Sequence, residues 1–369
     1  MSEGGLPEPD RVDGAPHPRD TLRLFGQPRA EASVLEAFAT RRLHHGWLLT
    51  GPRGIGKATL AWRIARFLLA TPDDDGGLFA APPPRDLDIA LDHPVARRLS
   101  ALSEPRLFLL RRGPNDKGSA LSADIRVDDV RKLKSFLHLS SADGGRRVVI
   151  VDAADDMNTA AANALLKLLE EPPAGAIFLL VAHQPAGLLP TIRSRCRELR
   201  LATLAPADMA AALAQAGAEA PDPVALAQLS GGSVGEAIRL ANLDGLDTYA
   251  RLVTLLASLP RLDRPQALTL ADSVAGKAAE ARFDLMLGLF DLFLSRLARS
   301  GATGQPLPEA APGEAALMAR LAPDAPAARH WAGLHQSLGA RARHGRAVNL
   351  DPAALVMDMV LQIAAAAPA

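Results

Sequence analysis

The sequence predicts an α/β domain with a parallel sheet and flanking helices, followed by a small helical domain and an all-helical C-terminal domain. From about residue 21 to 201, short apolar runs alternate with stretches of helical periodicity. Such alternation is typical of a parallel sheet covered by helices. After residue 201 strand-like runs become scarce and the chain is rich in Leu and Ala. We therefore expect domain boundaries that divide the chain into 21–201, 202–243 and 244–369.

Three apolar runs predict the buried strands of this sheet. They are "GWLLT" (46–50), "RRVVIVD" (146–152) and "AIFLLVA" (176–182). Two stretches with apolar residues at helical spacing predict helices beside them. The apolar positions are Leu60, Ile64, Phe67 and Leu68 in the first, and Ala161, Ala164, Leu165, Leu168 and Leu169 in the second. Two prolines, Pro172 and Pro173, end the second helix because the residue before a proline disfavours helical geometry.

Two regions lack this periodicity. Residues 1–20 are acidic and rich in Pro and Gly, which predicts a disordered arm and excludes a signal peptide. Residues 71–118 contain "DDDGG", "APPPRD" and "RRGPNDKG", which are loop signals. We interpret 71–118 as a variable insertion within the α/β domain.

The composition excludes several classes of function. Lys and Arg number 41, as do Asp and Glu, so the formal net charge is zero and gives no bulk attraction to DNA or to an anionic membrane. The single cysteine excludes an internal disulfide and a four-cysteine zinc site. The alanine-rich run near the C-terminus is far shorter than the roughly 20 residues of a membrane span. We expect a cytoplasmic protein with no membrane partner and no zinc.

A glycine-rich loop lies between the first predicted strand and its helix. The segment "GPRGIGKA" (51–58) supplies Gly51, Gly54, Gly56 and Lys57 at the spacing of a P-loop. Backbone N–H groups in such a loop, together with the helix N-terminus, bind phosphate. Ala58, however, stands where a Ser or Thr normally ligates Mg²⁺.

The second predicted strand ends in the pattern of a Walker B motif. Asp152 follows an apolar run and stands at the position of the Mg²⁺-binding carboxylate. The next residue is Ala153, where many ATPases place a Glu that orients the attacking water. Alanine cannot act as a general base. Since Ala58 and Ala153 remove both functions, we expect a degenerate site that does not hydrolyse ATP.

Four segments in this order resemble the clamp-loader branch of the AAA+ ATPases. They are "LFGQPRA" (24–30), "GWLLTGPRGIGKA" (46–58), "VVIVDAADDMNTAAANALLKLLEEPP" (148–173) and "TIRSRC" (191–196). The resemblance covers roughly 21–240, and the helical remainder is similar to the family's collar domain. It implies an AAA+ P-loop domain at 21–201, a lid at 202–243 and an oligomerisation domain at 244–369.

The resemblance also assigns a role to Ser194, Arg195 and Cys196, the "SRC" motif of this family. It implies that Arg195 acts in trans as an arginine finger on the ATP site of a neighbouring subunit, because a guanidinium pairs phosphate oxygens with a planar fork. Two alternatives stay open. Arg195 could form a structural ion pair, or it could join Arg193 and Arg197 on one face of an extended segment that contacts DNA phosphates.

A third departure from the motor subunits of this family lies in the predicted lid. The segment "GGSVGEA" (231–237) places Gly235 where those subunits carry a sensor-2 arginine. Several relatives also have a four-cysteine zinc module after the P-loop helix, whereas 71–118 contains no cysteine. The resemblance therefore implies a subunit that needs no cofactor, although Lys57 and the loop amides leave room for weak ATP or ADP binding.

The implied function is that of a non-hydrolysing stator in a five-subunit clamp loader. Its partners would be the gamma/tau motor subunits, the delta subunit and the sliding clamp, with primer–template DNA contacted mainly through the complex. It would be an accessory subunit of the DNA polymerase III holoenzyme at the replisome rather than an enzyme by itself. Two rivals remain, an active ATP-hydrolysing motor subunit and an ATP-sensing regulator unrelated to replication.

Overall fold

A parallel sheet of five strands organises the N-terminal half of the computed structural model, which describes residues 8–72, 84–138, 145–218, 222–276 and 279–368. The strands are β1 (Gly46–Thr50), β2 (Leu107–Arg111), β3 (Arg147–Asp152), β4 (Ala176–Ala182) and β5 (Arg197–Arg200). They lie in the order β2-β3-β4-β1-β5, and every neighbouring pair is parallel. The three strands predicted from the sequence are the central ones.

The helices described in this region flank the sheet. They are α1 (Pro28–Ala39), α2 (Lys57–Ala70), α3 (Pro94–Ser100), α4 (Val127–His138), α5 (Thr159–Glu170), α6 (Pro190–Arg193) and α7 (Pro206–Ala216). Helices α1, α2 and α3 pack on one face of the sheet and share a hydrophobic core with Trp47 and Leu49 of β1. Helices α4 and α5 cover the other face, on which Leu48 lies. The predicted α/β class with flanking helices is confirmed, and its P-loop lies at the carboxyl end of a central strand.

The predicted insertion needs correction. Residues 73–83 lie outside the described residues, but α3 and β2 fall within 71–118. Strand β2 pairs with β3 along its whole length, and Leu99 of α3 is fully buried in the core. The described part of this region therefore belongs to the α/β domain itself.

The predicted disordered arm is also wrong from residue 8 onward, whereas residues 1–7 lie outside the described residues. Ala15 and His17 are buried, and a short 3₁₀ helix spans Pro18–Asp20. The His17 ring lies edge-on to Trp62 of α2 at 5.9 Å. The Arg66 guanidinium on α2 donates to the Arg19 carbonyl. An acidic, proline-rich composition is a poor guide to order here, because this segment finds its partners on α2.

The C-terminal half is helical. It contains α8 (Pro223–Leu229), α9 (Val234–Asn242), α10 (Gly245–Ala257), α11 (Arg264–Asp272), α12 (Glu280–Thr303), α13 (Glu314–Leu321), α14 (Ala325–Ala347) and α15 (Pro352–Ala366). Phe290 and Phe293 of α12 are fully buried. Arg296 pairs with Glu314 at 2.7 Å, and Tyr249 donates to the same carboxylate at 2.6 Å. No helix in the described part of the chain is both long and apolar enough to span a bilayer.

The chain forms two compact units, and the boundary between them does not match the predicted limits of the lid. The first contains the described residues up to Ala218 together with Ser233–Glu236. The second contains 222–232 and 237–368. The predicted lid at 202–243 is therefore divided, since α7 belongs to the first unit and α8 to the second.

Candidate functional site

The P-loop joins β1 to α2 in the conformation that its glycines permit. Gly51, Gly54 and Gly56 have φ values of 136°, 79° and 98°, a region that residues with a Cβ rarely adopt. A Cβ at Gly51 would lie 2.5 Å from the Ile55 side chain and 2.9 Å from the Leu201 carbonyl oxygen. The loop predicted from the sequence thus has the backbone that its motif requires.

Lys57, the first residue of α2, folds back on this loop. Its Nζ donates to the carbonyl oxygens of Gly51 and Pro52, at 2.7 and 2.6 Å. The side chain is buried, and burial lowers the pKa of Lys57 to about 8, against the opposing attraction of Asp152 and Asp155. The ammonium that would contact phosphate is therefore engaged by the loop itself.

Asp152 ends β3 as a buried carboxylate. Its Oδ2 is inaccessible and has no hydrogen-bond partner among the described groups. Burial, with a contribution from the nearby Asp10 carboxylate and against the opposing charge of Lys57, raises the pKa of Asp152 to about 7. The neighbouring Ala153 is buried and brings no polar side chain. Of the two acidic groups of a Walker B motif, only the aspartate is present.

The segment that carries Gly235 lies directly on the P-loop within the first unit. The Ser233 hydroxyl donates to the Arg53 carbonyl at 2.8 Å, and the Gly235 N–H donates to the Gly54 carbonyl at 2.9 Å. A Cβ at Gly235 would lie 2.9 Å from the Gly54 Cα. An arginine cannot occupy this position in the observed conformation, because its first side-chain atom already overlaps the loop.

A segment whose composition predicts disorder reaches the same site. Within this N-terminal strap, residues 8–17, Asp10 pairs with Arg111 and lies 3.2 Å from His17, and Glu8 lies 3.3 Å from Arg111. Arg111 ends β2 in register with Asp152. A Cβ at Gly235 would be 3.5 Å from the strap's Val12 side chain. The sequence signal that could have revealed these contacts is Arg111, which follows an apolar run. An arginine that is buried at the end of a strand needs a carboxylate partner.

His183 is a further residue of the site that no sequence motif marks. It follows β4, and the backbone N–H groups of His183 and Gln184 donate to the Asp155 carboxylate. Burial lowers the pKa of His183 to about 4, with the Lys57 charge contributing. A neutral imidazole therefore lies with Lys57 and Asp152 where the carboxyl ends of β1, β3 and β4 meet.

The site lacks two side chains that the hydrolysis of Mg²⁺–ATP ordinarily uses. Ala58 and Ala153 lack the side chains that would ligate the metal and orient water. Gly235 has no room for the side chain of a lid arginine. The predicted departures from the motif therefore fall together in one place, around a lysine that the loop already holds.

Arg195 lies at the end of the sheet opposite to the P-loop. It precedes β5, which runs parallel to β1, so it stands at the amino ends of the strands while the P-loop follows their carboxyl ends. A Cβ at Gly46, the first residue of β1, would be 3.2 Å from the Arg195 carbonyl oxygen. A strand of this length spans roughly 15 Å. Arg195 is thus separated from its own P-loop by the length of the sheet.

The Arg195 side chain is accessible, with 36% of its surface exposed. Its Nη2 pairs with the Glu170 carboxylate at 2.8 Å, and its Nη1 donates to the Thr191 carbonyl at 3.1 Å. The Ser194 hydroxyl donates to the same carbonyl at 3.1 Å. The ion pair left open by the sequence is therefore present, and it lies on the surface.

The extended segment with three arginines on one face, which was one of the two alternatives left open, is not observed. Arg193 ends α6, Arg195 follows in a turn, and Arg197 begins β5 with its guanidinium 5.2 Å from the centroid of the Trp47 ring. The chain turns between the three residues, so they do not share a face. Burial raises the pKa of the neighbouring Cys196 thiol to about 11, which leaves it protonated and unreactive at neutral pH.

The fold and the site together define a P-loop protein with a parallel α/β domain and a helical C-terminal half. Residues 26–205 match the model of the family described as DNA polymerase III, delta subunit. This segment is just under half of the chain, and together with the following relatives it makes the chain similar to DNA polymerase III delta' proteins.

Two delta-prime proteins and one gamma/tau protein illustrate the similarity. The chain is 40% identical over 152 residues to DNA polymerase III subunit delta' of Pseudomonas aeruginosa, which covers 41% of each chain. It is 31% identical over 237 residues to the delta' subunit of Escherichia coli K12, covering 62% of this chain and 64% of that one. It is 28% identical over 289 residues to subunit gamma/tau of Mycobacterium tuberculosis H37Rv, covering 74% of this chain and 46% of that one. The chain thus spans between 41% and 64% of the length of these relatives.

Proposed function

We propose that this chain is a non-hydrolysing subunit of the DNA polymerase III clamp loader. In this proposal it assembles with gamma/tau motor subunits and a delta subunit into a hetero-pentamer that places a sliding clamp on primed DNA. The observation that carries the proposal is the position of Arg195, exposed at the sheet edge opposite to its own P-loop. An arginine at that edge is available to the ATP site of a neighbour and unavailable to its own.

The state of its own P-loop supports the absence of hydrolysis. Phosphoryl transfer needs a metal ligand, a group that positions water and cations that stabilise the transition state. Ala58 and Ala153 supply neither of the first two. Lys57 is bonded to loop carbonyls, and Gly235 replaces the lid arginine. Because these groups are missing, the proposed subunit requires no cofactor.

The arginine finger is tested in the reconstituted complex of gamma/tau, delta and this chain. Arg195→Ala should leave assembly intact and slow ATP turnover stimulated by clamp and primed DNA. A finger supplied in trans can contribute up to ~10³–10⁵ in turnover, and the loss here should be smaller because only one motor site borders this subunit. Arg195→Lys should recover little, since an ammonium lacks the planar fork.

Arg193→Ala is the matched control, because Arg193 lies two residues away at the end of α6. It should change turnover less than Arg195→Ala. Unchanged ATPase together with weaker DNA binding in the Arg195→Ala complex would contradict the finger and favour a DNA phosphate contact. A chain that hydrolyses ATP alone, with turnover lost in Lys57→Ala, would favour the motor-subunit alternative.

A further inference from the structure

Both terminal nitrogens of the Arg195 guanidinium are bonded within the chain itself. Nη2 pairs with Glu170 at 2.8 Å, while Nη1 donates to the Thr191 carbonyl at 3.1 Å and lies 3.5 Å from the Ser194 hydroxyl. These two nitrogens form the fork with which an arginine binds two phosphate oxygens. The finger therefore cannot engage a phosphate bidentately while Glu170 holds it.

Glu170 stands where a carboxylate is electrostatically unfavourable. It is the last residue of α5, and the carbonyl groups at a helix C-terminus carry partial negative charge. The Arg195 cation lies between this helix end and the Thr191 carbonyl of α6, and it offsets the accumulated negative charge. The carboxylate thus depends on Arg195 for a counterion.

The pair is weak enough to exchange. The side chains of Arg195 and Glu170 are 36% and 41% exposed, and water and salt compete with ion pairs at such positions. A triphosphate on a neighbouring subunit carries more negative charge than one carboxylate and presents two oxygens to the fork. Glu170 would also be repelled by that phosphate.

We propose that Glu170 is a positioning residue that holds Arg195 in a parked conformation and releases it to the phosphates of the neighbouring subunit's ATP. The inference rests on the proposed finger role of Arg195. It adds that Glu170 competes with the phosphates for the Arg195 guanidinium. Removing the competitor makes the finger available at a lower ATP concentration. Exposed ion pairs are weak, so the shift in half-saturating ATP should be about two- to fivefold.

The test uses complexes assembled with wild-type chain, Glu170→Gln, Glu171→Gln, Arg195→Ala and the Glu170→Gln/Arg195→Ala double variant. Clamp- and DNA-stimulated ATPase is measured against ATP concentration. Glu170→Gln should lower the half-saturating ATP concentration and leave the maximal rate nearly unchanged. Glu171→Gln removes the adjacent carboxylate, which forms no ion pair among the described residues, and should leave both parameters unchanged. In the Arg195→Ala background, Glu170→Gln should have no effect.

Three results would overturn the parked conformation. They are an unshifted half-saturating concentration in Glu170→Gln while Arg195→Ala slows turnover, a shift that persists without Arg195, and a lower maximal rate that depends on Arg195. The last result would mean that Glu170 aims the finger in the engaged state. If Arg195→Ala itself leaves ATPase unchanged, the proposed finger function fails. That outcome differs from one in which Arg195→Ala slows turnover but Glu170 does not hold Arg195 in the parked conformation.

Discussion

At the scale of single residues, Gly235 lies so close to the P-loop that a side chain at this position would overlap the loop backbone. The Gly235 N–H bonds the Gly54 carbonyl at 2.9 Å, so the two backbones approach without space for a Cβ. A glycine at position 235 and the close backbone contact are two aspects of one arrangement. Mutating Gly235 to arginine should disturb the loop before it supplies a useful charge.

Gly235→Ala should therefore lower the free energy of unfolding by about 1–3 kcal/mol, the usual cost of overpacking. The new Cβ would lie 2.9 Å from the backbone Gly54 Cα, which cannot move without shifting the loop. Gly187→Ala is the matched control, because a Cβ added there would meet no atom within 4 Å and its φ is ordinary. Urea unfolding of both variants checks the difference. Equal stability of the two would contradict the close contact.

Asp152 should make stability depend on pH. Its ordinary pKa of 3.8 is raised to about 7 in the folded chain, so between about pH 4 and 7 the folded state holds a proton that the unfolded state has lost. Stability contributed by this group is therefore present at low pH and decreases as pH rises. The neutral isostere Asp152→Asn does not titrate. Its stability relative to wild type should increase from pH 4 to 7 by a few kcal/mol, at about 1.4 kcal/mol per pKa unit.

The measurement is the difference in free energy of unfolding between Asp152→Asn and wild type at pH 4.5, 6 and 8. Asp128→Asn, an exposed position on α4, should show no comparable trend. A difference that is the same at every pH would show that Asp152 is not desolvated. The opposing contribution of His183 is common to both chains and cancels in the difference.

At the scale of elements, the N-terminal strap links the first described residues to the far edge of the sheet. Asp10 and Arg111 are separated by 101 positions, and the Asp10 side chain is 1% exposed. The strap therefore belongs to the folded first unit. Its Asp10 carboxylate lies near Asp152, whose pKa the Asp10 charge raises.

Asp10→Ala should destabilise the chain by about 1–4 kcal/mol, because Arg111 then loses the nearer and more buried of its two carboxylate partners and keeps only Glu8. Arg111→Ala should do the same, since Asp10 and Glu8 then lose their shared cation. The double variant should be more stable than the sum of the two losses predicts. Thermal or urea unfolding of the four chains measures this coupling, and strictly additive losses would show that the pair contributes nothing.

At the scale of the whole molecule, each unit has its own core. The first is organised by the parallel sheet, and the second by Phe290 and Phe293 of α12 with the buried Arg296–Glu314 pair. Units with separate cores can fold and act separately. The helical unit is therefore the candidate for assembly, as the resemblance to collar domains implies.

Truncation after residue 242 should keep the five-stranded sheet and abolish assembly. The expected result is protected amides in β1, β3 and β4 by hydrogen exchange, together with loss of co-purification with gamma/tau and delta subunits. The chain with Arg341→Ala, which disrupts only an exposed pair with Asp358, serves as a folded control that should still assemble. Assembly of the truncated chain into the full pentamer would contradict the oligomerisation role of the helical unit.

The sequence by itself determined the central strands β1, β3 and β4, the P-loop, the Walker B position and the helical C-terminal half. Short local patterns in the sequence encode these features. Strands buried on both faces are continuous apolar runs, and the positive φ angles of the loop require glycine at fixed spacing. The departures Ala58, Ala153 and Gly235 could be identified for the same reason. The resemblance to clamp-loader proteins rests on the same segments.

Only the tertiary structure decided the edge strands, the strap, the division of the predicted lid and the partners of Arg195. Strand β5 buries only Leu199 and leaves no apolar run in the sequence. Strand β2 does contain the apolar run "LFLL" (107–110), but it lies in a region that is rich in loop signals. The Asp10–Arg111 pair joins residues 101 positions apart, and the Glu170–Arg195 pair forms because α5 and α6 end at the same edge of the sheet. Contacts of this kind depend on where the fold brings distant segments together, and no local pattern records them.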